Sequence, residues 1–597
     1  MKSTELLLIC TILSDIGLVL DTSIERDSAY VESRIEHEGL SFCTISLPSF
    51  AKDFERSLEL GYVGPGLFAG FHKLRKAPLI PAFLSGITAY VFDNTGRLRE
   101  DASIEAIEGV RQVCLALNKP KMECSDDRRK KAIENYVNTE NDLRSFRPKA
   151  WHGLNDFVRI SRVCFGRTLR DLNREVETNE LQPRHGPGAV AERIYGNGKY
   201  RSSTWSRRLE RSFPFDMYKV PNWNFTDREA EVRVGSDTVR VVFVPKTMKA
   251  PRVIAIEPIN NQYAQQAVSQ RLMALLERDR VTRERVNFSS SEFNRVLARE
   301  ASISRNNATL DMSEASDRIH AGLVYHMFRD FPCALRSVFD CRSKYAILPD
   351  GRKVSLVKFA SMGSALCFPV ESMYHYVLCI MGGLKAENLQ CNTRNILRLS
   401  RRVTVFGDDL IVPSKWRADV ETVLASVRCV VNTKKSFSLG YFRESCGVDA
   451  YKGSIVTPVY IRTRPPKNVS DASELVSYVA TANLFYRKGY WKTAQFMRDI
   501  VEDILGPLPH VGNKASVIGW TSFQGHFTFS KWNADLHRFE VRGYVPKISR
   551  RRDQLDGADR LMKFFLTRRD EPVEQEDFIS SVDSYSLTLR KRWSNAS

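Results

Sequence analysis

The ten residues VTVFGDDLIV at 403–412 constrain the fold more than any other stretch of this chain. Two short runs of β-branched and apolar residues flank Gly407-Asp408, the pattern of two strands joined by a tight turn. Gly407 supplies the backbone freedom for the bend. Asp408 and Asp409 then stand side by side at the tip, where like charges repel and a divalent cation removes the repulsion. Surface turns are rich in Gly and Asp, so the tripeptide alone leaves a plain turn as the alternative. Pro413 ends the second strand. Ser414 is expected to cap a helix carrying Trp416, Val420, Val423, Leu424 and Val427, followed by a strand around 428–432.

A second acidic residue gives the turn a partner. Asp311 closes ATLDM (308–312), which reads as a short buried strand. A helical stretch is expected after it, with Ile319, Leu323 and Met327 recurring every four residues. Strand, helix, hairpin, helix and strand together predict a small sheet with helices on one face. If the two acidic strands adjoin, Asp311 and Asp408 face one point. Carboxylates so placed can hold two Mg²⁺ ions roughly 3.5–4 Å apart, the arrangement for in-line nucleotidyl transfer. The alternative for Asp311 is a helix N-terminal cap.

The charge balance points to a polyanionic partner. Across 597 residues, 89 basic against 70 acidic side chains leave a net charge of +19. Nucleic acid is the first reading and a membrane surface the second. The basic residues cluster at 144–174, at 193–211, at Arg240, Lys246, Lys249 and Arg252, and at Lys547, Arg550, Arg551 and Arg552. They are expected to line a long charged channel. No run of 18 apolar residues exists, so no membrane span is expected. The 6–20 stretch is interrupted by Asp15 and reads as a buried helix or strand, not a signal peptide. Twelve scattered cysteines without C-x-x-C spacing fit free thiols in a reducing cytoplasm. Gly196-Asn-Gly-Lys199 lacks the first glycine of a phosphate loop and the hydroxyl residue after the lysine, so it reads as a polar turn.

Four segments carry a resemblance, in order: Asp311-Met-Ser-Glu-Ala-Ser-Asp317, Ser361-Met-Gly363, Phe-Gly-Asp408-Asp409, and Val431-Asn-Thr-Lys-Lys-Ser-Phe437. They resemble the palm motifs of RNA-directed RNA polymerases. More narrowly, the chain resembles the replicase catalytic subunit of the small single-stranded RNA bacteriophages. His185-Gly-Pro-Gly-Ala189, Val244-Pro-Lys246, Arg252 with Ile256-Glu-Pro258, and Phe442-Arg-Glu-Ser-Cys-Gly447 support the narrower match. The likeness is strong from about 185 to 465 and weaker outside.

The resemblance implies an α+β right-hand polymerase. Its N-terminal region and fingers would span 1–240, a basic fingers segment 241–300, the palm with its antiparallel sheet and packed helices 301–465, and the thumb and C-terminal region 466–597. It implies Asp311, Asp408 and Asp409 as catalytic metal ligands for two Mg²⁺, with Mn²⁺ able to substitute. Asp317 matches the residue that recognises the ribose 2′-hydroxyl, with a first-turn helix acid as the alternative. Ser361 and Gly363 belong to the loop that positions template and nucleotide. Past that glycine, many viral polymerases carry a Thr and an Asn where this chain has Cys367 and Glu371. Lys246, Lys249 and Arg252, spaced three apart behind a run of valines, can hold a triphosphate; a solvated basic strand is the alternative. Of these, Lys246 and Arg252 carry the match. Lys434 or Lys435 can donate a proton to pyrophosphate or act through charge alone.

The implied partners are an RNA template and product, ribonucleoside triphosphates, host elongation factors Tu and Ts, and a host RNA-binding ribosomal protein. The implied setting is the cytoplasm of an infected bacterium, with no membrane. Two other readings compete. A reverse transcriptase shares the palm, but Gly407, and Ala315, Ser316 and Asp317 in place of an aromatic gate, favour ribonucleotides. A non-catalytic basic RNA-binding protein would need no acidic triad.

Overall fold

The 403–412 segment forms the hairpin that its pattern predicts. Strands Thr404–Phe406 and Asp409–Pro413 pair antiparallel around Gly407-Asp408. The computed structural model containing this hairpin describes residues 3–201, 204–219, 231–233, 237–549, 555, 557–567 and 586–596. Arg550, Arg551 and Arg552 of the fourth basic cluster lie outside the described residues. The architecture mixes α-helices with six small sheets among the described residues.

The central sheet orders its strands 404–406, 409–413, 307–313 and 430–431, with every neighbouring pair antiparallel. The register places Leu410 opposite Leu310 and Val412 opposite Ala308. Opposed residues share a face, so these side chains turn together into the larger core. Helices Cys367–Ala386 and Arg417–Ser426 complete that core through Val370, Tyr374, Val377, Val420 and Leu424. The opposite face carries Thr309, Asp311, Asp409 and Ile411.

Two local expectations are corrected. Ile319 is buried but extended, because the chain first makes a 3₁₀ turn at Ala315–Arg318; the helix starts at Ala321, where the His320 ring accepts from the Gly322 N–H. Ser414 does not cap the next helix. It opens a 3₁₀ turn, and its hydroxyl donates to the Arg305 carbonyl at 2.6 Å, while helix Arg417–Ser426 begins after Trp416.

A second core joins distant parts of the chain. Helices Thr4–Leu20, Leu47–Leu60 and Ile104–Leu115 pack with strands Phe442–Ser445 and Val448–Tyr451 and helices Ala472–Arg487 and Trp491–Leu505. The 6–20 stretch is a helix buried along one face, with Leu18 and Val19 exposed, and Asp15 explains its own presence on that face. Its carboxylate accepts from the Lys492 and Thr493 N–H groups, both at 2.9 Å, and from the Thr493 hydroxyl at 2.7 Å. One helix thus caps the N-terminus of another. No helix among the described residues is long and apolar enough to cross a membrane. All twelve cysteines are free thiols.

A further sheet is built on the hairpin of Thr238–Val244 and Arg252–Ile256, which pair antiparallel. Its 245–251 loop is tied to the N-terminal region: Arg128 donates to the Met248 carbonyl and the Thr44 hydroxyl to its sulfur.

Candidate active site

Strand register brings the acidic residues together. Asp311 sits directly opposite Asp409, so the two carboxylates share one face and one level of the sheet. Asp408 is the second residue of the adjoining two-residue turn. Gly407 takes φ +65°, and a side chain on it would meet the Phe368 ring at 2.5 Å. Helix Cys367–Ala386 holds this turn from beneath: the Ser372 hydroxyl accepts from the Gly407 N–H at 3.1 Å, and His375 Nδ1 donates to the Gly407 carbonyl at 3.2 Å.

The 431–437 segment wraps Asp311. Asn432 Nδ2 donates to its Oδ2 at 2.8 Å, and the Ser436 hydroxyl accepts from its N–H at 3.1 Å. Lys435 Nζ lies 3.6 Å from Asp311 and 3.7 Å from Glu444. Lys434 is exposed and makes neither contact. Glu444 belongs to the hairpin of Phe442–Ser445 and Val448–Tyr451, whose turn residues Cys446 and Gly447 both take positive φ. That geometry aims the Cys446 N–H at Asp409 Oδ2, 3.2 Å away.

The charges here are unbalanced. Burial pushes the Asp409 carboxyl up to about 7, and Asp408, Glu444 and Asp311 add to the shift. Burial also raises Asp311, while Lys435 and Asn432 pull it back. Lys435 is held well above the ordinary lysine value, by Glu444 first and then by Asp311, Asp409 and Asp408. Beneath the hairpin, burial and then Asp408 push Glu371 up to about 8. Among the described residues, no three His, Cys, Asp or Glu side chains already stand in ion-holding geometry. The donor set nonetheless fits a hard dication. Four carboxylates, those of Asp311, Asp408, Asp409 and Glu444, act on one another with the ammonium of Lys435 beside them, and oxygen ligands are what Mg²⁺ takes.

Basic residues face the carboxylates from several directions. Val244 pairs with Arg252, so Lys246, Lys249 and Arg252 gather at one hairpin tip. Partial burial, then Arg252, Lys435 and Lys119, depress Lys246 below the ordinary lysine value, and Asp311 opposes them. Lys52 and Lys119 come from the N-terminal region. Lys52 is depressed by burial and then by Lys249 and Lys435; Lys119 is depressed by burial and then by Lys435.

The 361–363 loop packs on the same basic hairpin. The Ala255 N–H donates to the Met362 carbonyl at 2.9 Å. Gly363 takes φ +125°, and any side chain there would strike the Ala255 carbonyl oxygen at 2.2 Å. Ser361 is buried, with its hydroxyl 3.2 Å from that of Tyr136. Asp317 lies in the 3₁₀ turn after the Asp311 strand and bonds Lys358. The structure therefore gathers Asp311, Asp408, Asp409 and Lys435 most tightly, with Lys246 near Asp311 and Lys434 exposed beside Lys52.

The comparisons with known proteins bear on this arrangement. Residues 215–483 match the family model described as RNA replicase, beta-chain. That segment is similar to the RNA replicase beta-chains. It is 33% identical over 304 residues to the RNA-directed RNA polymerase subunit beta of Escherichia virus Qbeta, covering 50% of this chain and 48% of that one. It is 33% identical over 313 residues to the corresponding subunit of Enterobacteria phage SP, covering 52% and 50%. The RNA-directed RNA polymerase beta chain of Escherichia phage MS2 matches at 33% over 230 residues, covering 38% of each chain. The chain spans about half the length of the curated relatives it matches. Among solved structures, a mutant RNA-dependent RNA polymerase of a human picobirnavirus is 14% identical, covering 45% of this chain and 57% of that one at a TM-score of 0.31. So low a score leaves the fold to be read from this chain's own strands.

The 215–483 segment holds all the acidic residues of the site, and the site includes residues that carried no role in the sequence. Glu444 lay in plain view in Phe442-Arg-Glu-Ser-Cys-Gly447, but its side chain reaches the site only through a separate hairpin. Ser372 and His375, one turn apart in an apolar helix, were a readable signal for a buried anchor. Lys52 and Lys119 fall outside 215–483, and nothing local marked them. Lys199, the lysine of the failed phosphate loop, is buried in a short 3₁₀ helix and donates to the Gly186 and Gly188 carbonyls.

Proposed function

We propose that this chain is the catalytic subunit of an RNA-directed RNA polymerase that adds ribonucleotides to an RNA 3′-hydroxyl and releases pyrophosphate. The observation that carries the reading is the register of Asp311 against Asp409, with Asp408 at the adjoining turn. In this reading 301–465, with the central sheet, is the palm of a right-hand polymerase, 1–240 the N-terminal region and fingers, 241–300 a basic fingers segment leading into the palm, and 466–597 the thumb and C-terminal region. RNA template and product and ribonucleoside triphosphates are the substrates, and the net charge of +19 supports a polyanion.

Asp311, Asp408 and Asp409 would hold two Mg²⁺, or Mn²⁺, with Glu444 beside them. Bound there, the ions supply activation of the 3′-hydroxyl and neutralisation of the leaving pyrophosphate. The chain's own residues do the rest. Lys246 and Arg252 bind the triphosphate, supported by Lys249, Lys52 and Lys119. Of the lysine pair, Lys435 faces the reacting phosphates, which its position beside Asp311 and Glu444 supports. Asp317 accepts from the ribose 2′-hydroxyl, and the Ser361–Gly363 loop positions nucleotide and template. The setting is the cytoplasm of an infected bacterium, with elongation factors Tu and Ts and a host RNA-binding ribosomal protein as partners. A pull-down from bacterial lysate is expected to recover these factors; their absence from a chain that still copies RNA removes them from the account.

Labelled ribonucleotide incorporation on a defined RNA tests the function. Incorporation by the wild type that Asp408→Asn abolishes is the expected result. Equal incorporation by both overturns the assignment.

A further inference from the structure

The base of Asp317 holds a buried cation. Lys358, three residues before the Ser361–Gly363 loop, is fully buried, and its ammonium donates to Asp317 Oδ1 at 3.0 Å. The same ammonium lies 3.7 Å from Glu140 and 3.4 Å above the centre of the Tyr136 ring. Glu140 and Tyr136 come from helix Asp126–Ser145, far away in sequence. Glu140 is fixed in turn by the Val357 N–H at 2.7 Å and the Lys358 N–H at 3.3 Å. The Tyr136 hydroxyl reaches Ser361 at 3.2 Å. Arg318, the cation next to Asp317 in sequence, is taken by Asp142 at 2.7 Å and Glu314 at 3.0 Å.

An ammonium that loses its water needs anions and a π face around it, and here it has both. The Asp317 side chain, by contrast, keeps 19% of its surface exposed. One carboxylate oxygen is pinned, and the other has no partner among the described residues.

We propose that Lys358, seated on Tyr136 and Glu140, is a positioning residue for sugar selection: it locks one oxygen of Asp317 so that the other meets the 2′-hydroxyl of an incoming ribonucleotide. This rests on the reading of Asp317 given under Proposed function. A pinned carboxylate loses little further freedom on accepting a hydroxyl, whereas a 2′-deoxynucleotide leaves the acceptor unpaired. Helix 126–145 thereby acts on substrate choice without touching the substrate.

The test compares single-turnover incorporation of a ribonucleotide and its 2′-deoxy counterpart by the full-length chain. Lys358→Met is expected to lower the ribo-over-deoxy ratio roughly tenfold, through the ribonucleotide arm. Lys358→Arg is expected to restore most of it. In an Asp317→Ala background, Lys358→Met is expected to change the ratio no further. If Lys358→Met fails to fold, the double variant Lys358→Met with Glu140→Gln strands no buried carboxylate and carries the same expectation. Equal slowing of both nucleotides, with the ratio unchanged, overturns the proposal while leaving the role of Asp317 intact. An unchanged ratio in Asp317→Ala alone overturns both.

Discussion

Two groups of carboxylates, one buried and one open to solvent at Asp408, stand side by side in this molecule and are treated in different ways. Glu444 and Asp449 are opposed residues of one β-hairpin, so their side chains share a face. On one side, Arg111 is a fully buried guanidinium that joins Glu55 to Asp449, the latter at 2.6 Å, and donates to the Val456 carbonyl at 3.1 Å. Burial pushes both carboxyls up, and Arg111 pulls both back. On the other side, Glu444 joins Asp311, Asp408 and Asp409 with Lys435 as the near cation. There the carboxylate neighbours of Asp409 raise its carboxyl further, and the Cys446 hydrogen bond opposes them. The first group is bridged by one guanidinium and staples helices Leu47–Leu60 and Ile104–Leu115 to the hairpin. The second is an acidic cluster lacking the positive charge that would complete it. Carboxylates gathered at an accessible surface beside a pair bridged by a buried guanidinium mark where cation binding is expected.

Four substitutions break or sharpen this contrast. Asp408→Asn removes one charge from the uncompensated group. It is expected to cut nucleotide incorporation on the order of 10³-fold while leaving the melting temperature of the metal-free chain unchanged or raised. A large loss of stability would mean that the carboxylate serves the fold. Arg111→Met does the reverse. Two buried carboxylates lose their partner, at an expected cost of about 3–5 kcal/mol in denaturant unfolding. A cost near zero would dissolve the distinction between the groups.

His375 tests the floor beneath the metal turn. Burial depresses its imidazole to about 4, against the hydrogen bond to Gly407 and the nearby Asp408, both of which favour the charged form. The folded value lies below the ordinary 6.5, so the unfolded chain takes up the proton first. The contribution is fully present above about pH 6.5 and is lost as pH falls from there to 4, about 3 kcal/mol in all. His375→Gln is expected to flatten that limb of a stability–pH profile; an identical limb removes His375 as its source. The smallest effect is expected from Asp317→Ala, a roughly tenfold relaxation of the preference for ribonucleotides over deoxynucleotides.

The sequence exposed the acidic hairpin and the Asp311 strand because their chemistry and period lie within a few residues. Register needed one further fact, that the two strands adjoin, and the alternation Leu310–Asp311 against Leu410–Asp409 then follows from the pleat. What stayed hidden depends on distant packing. Lys52 and Lys119 reach the site only because residues 6–117 share a core with 437–520. Lys358 carries no mark in the sequence, and its burial against Tyr136 and Glu140 has no local signature. Ser414 misled for the opposite reason: a serine before an apolar periodic run is a good cap in general, but the carbonyl of Arg305 took its hydroxyl first.

Titration of the full-length chain with Mn²⁺, followed by the electron paramagnetic resonance of the free ion, tests the central claim most directly. Two ions bound by the wild type and by Lys434→Ala, with binding lost or sharply weakened in Asp408→Asn, is the predicted result. Equal Mn²⁺ binding by the wild type and Asp408→Asn would contradict it.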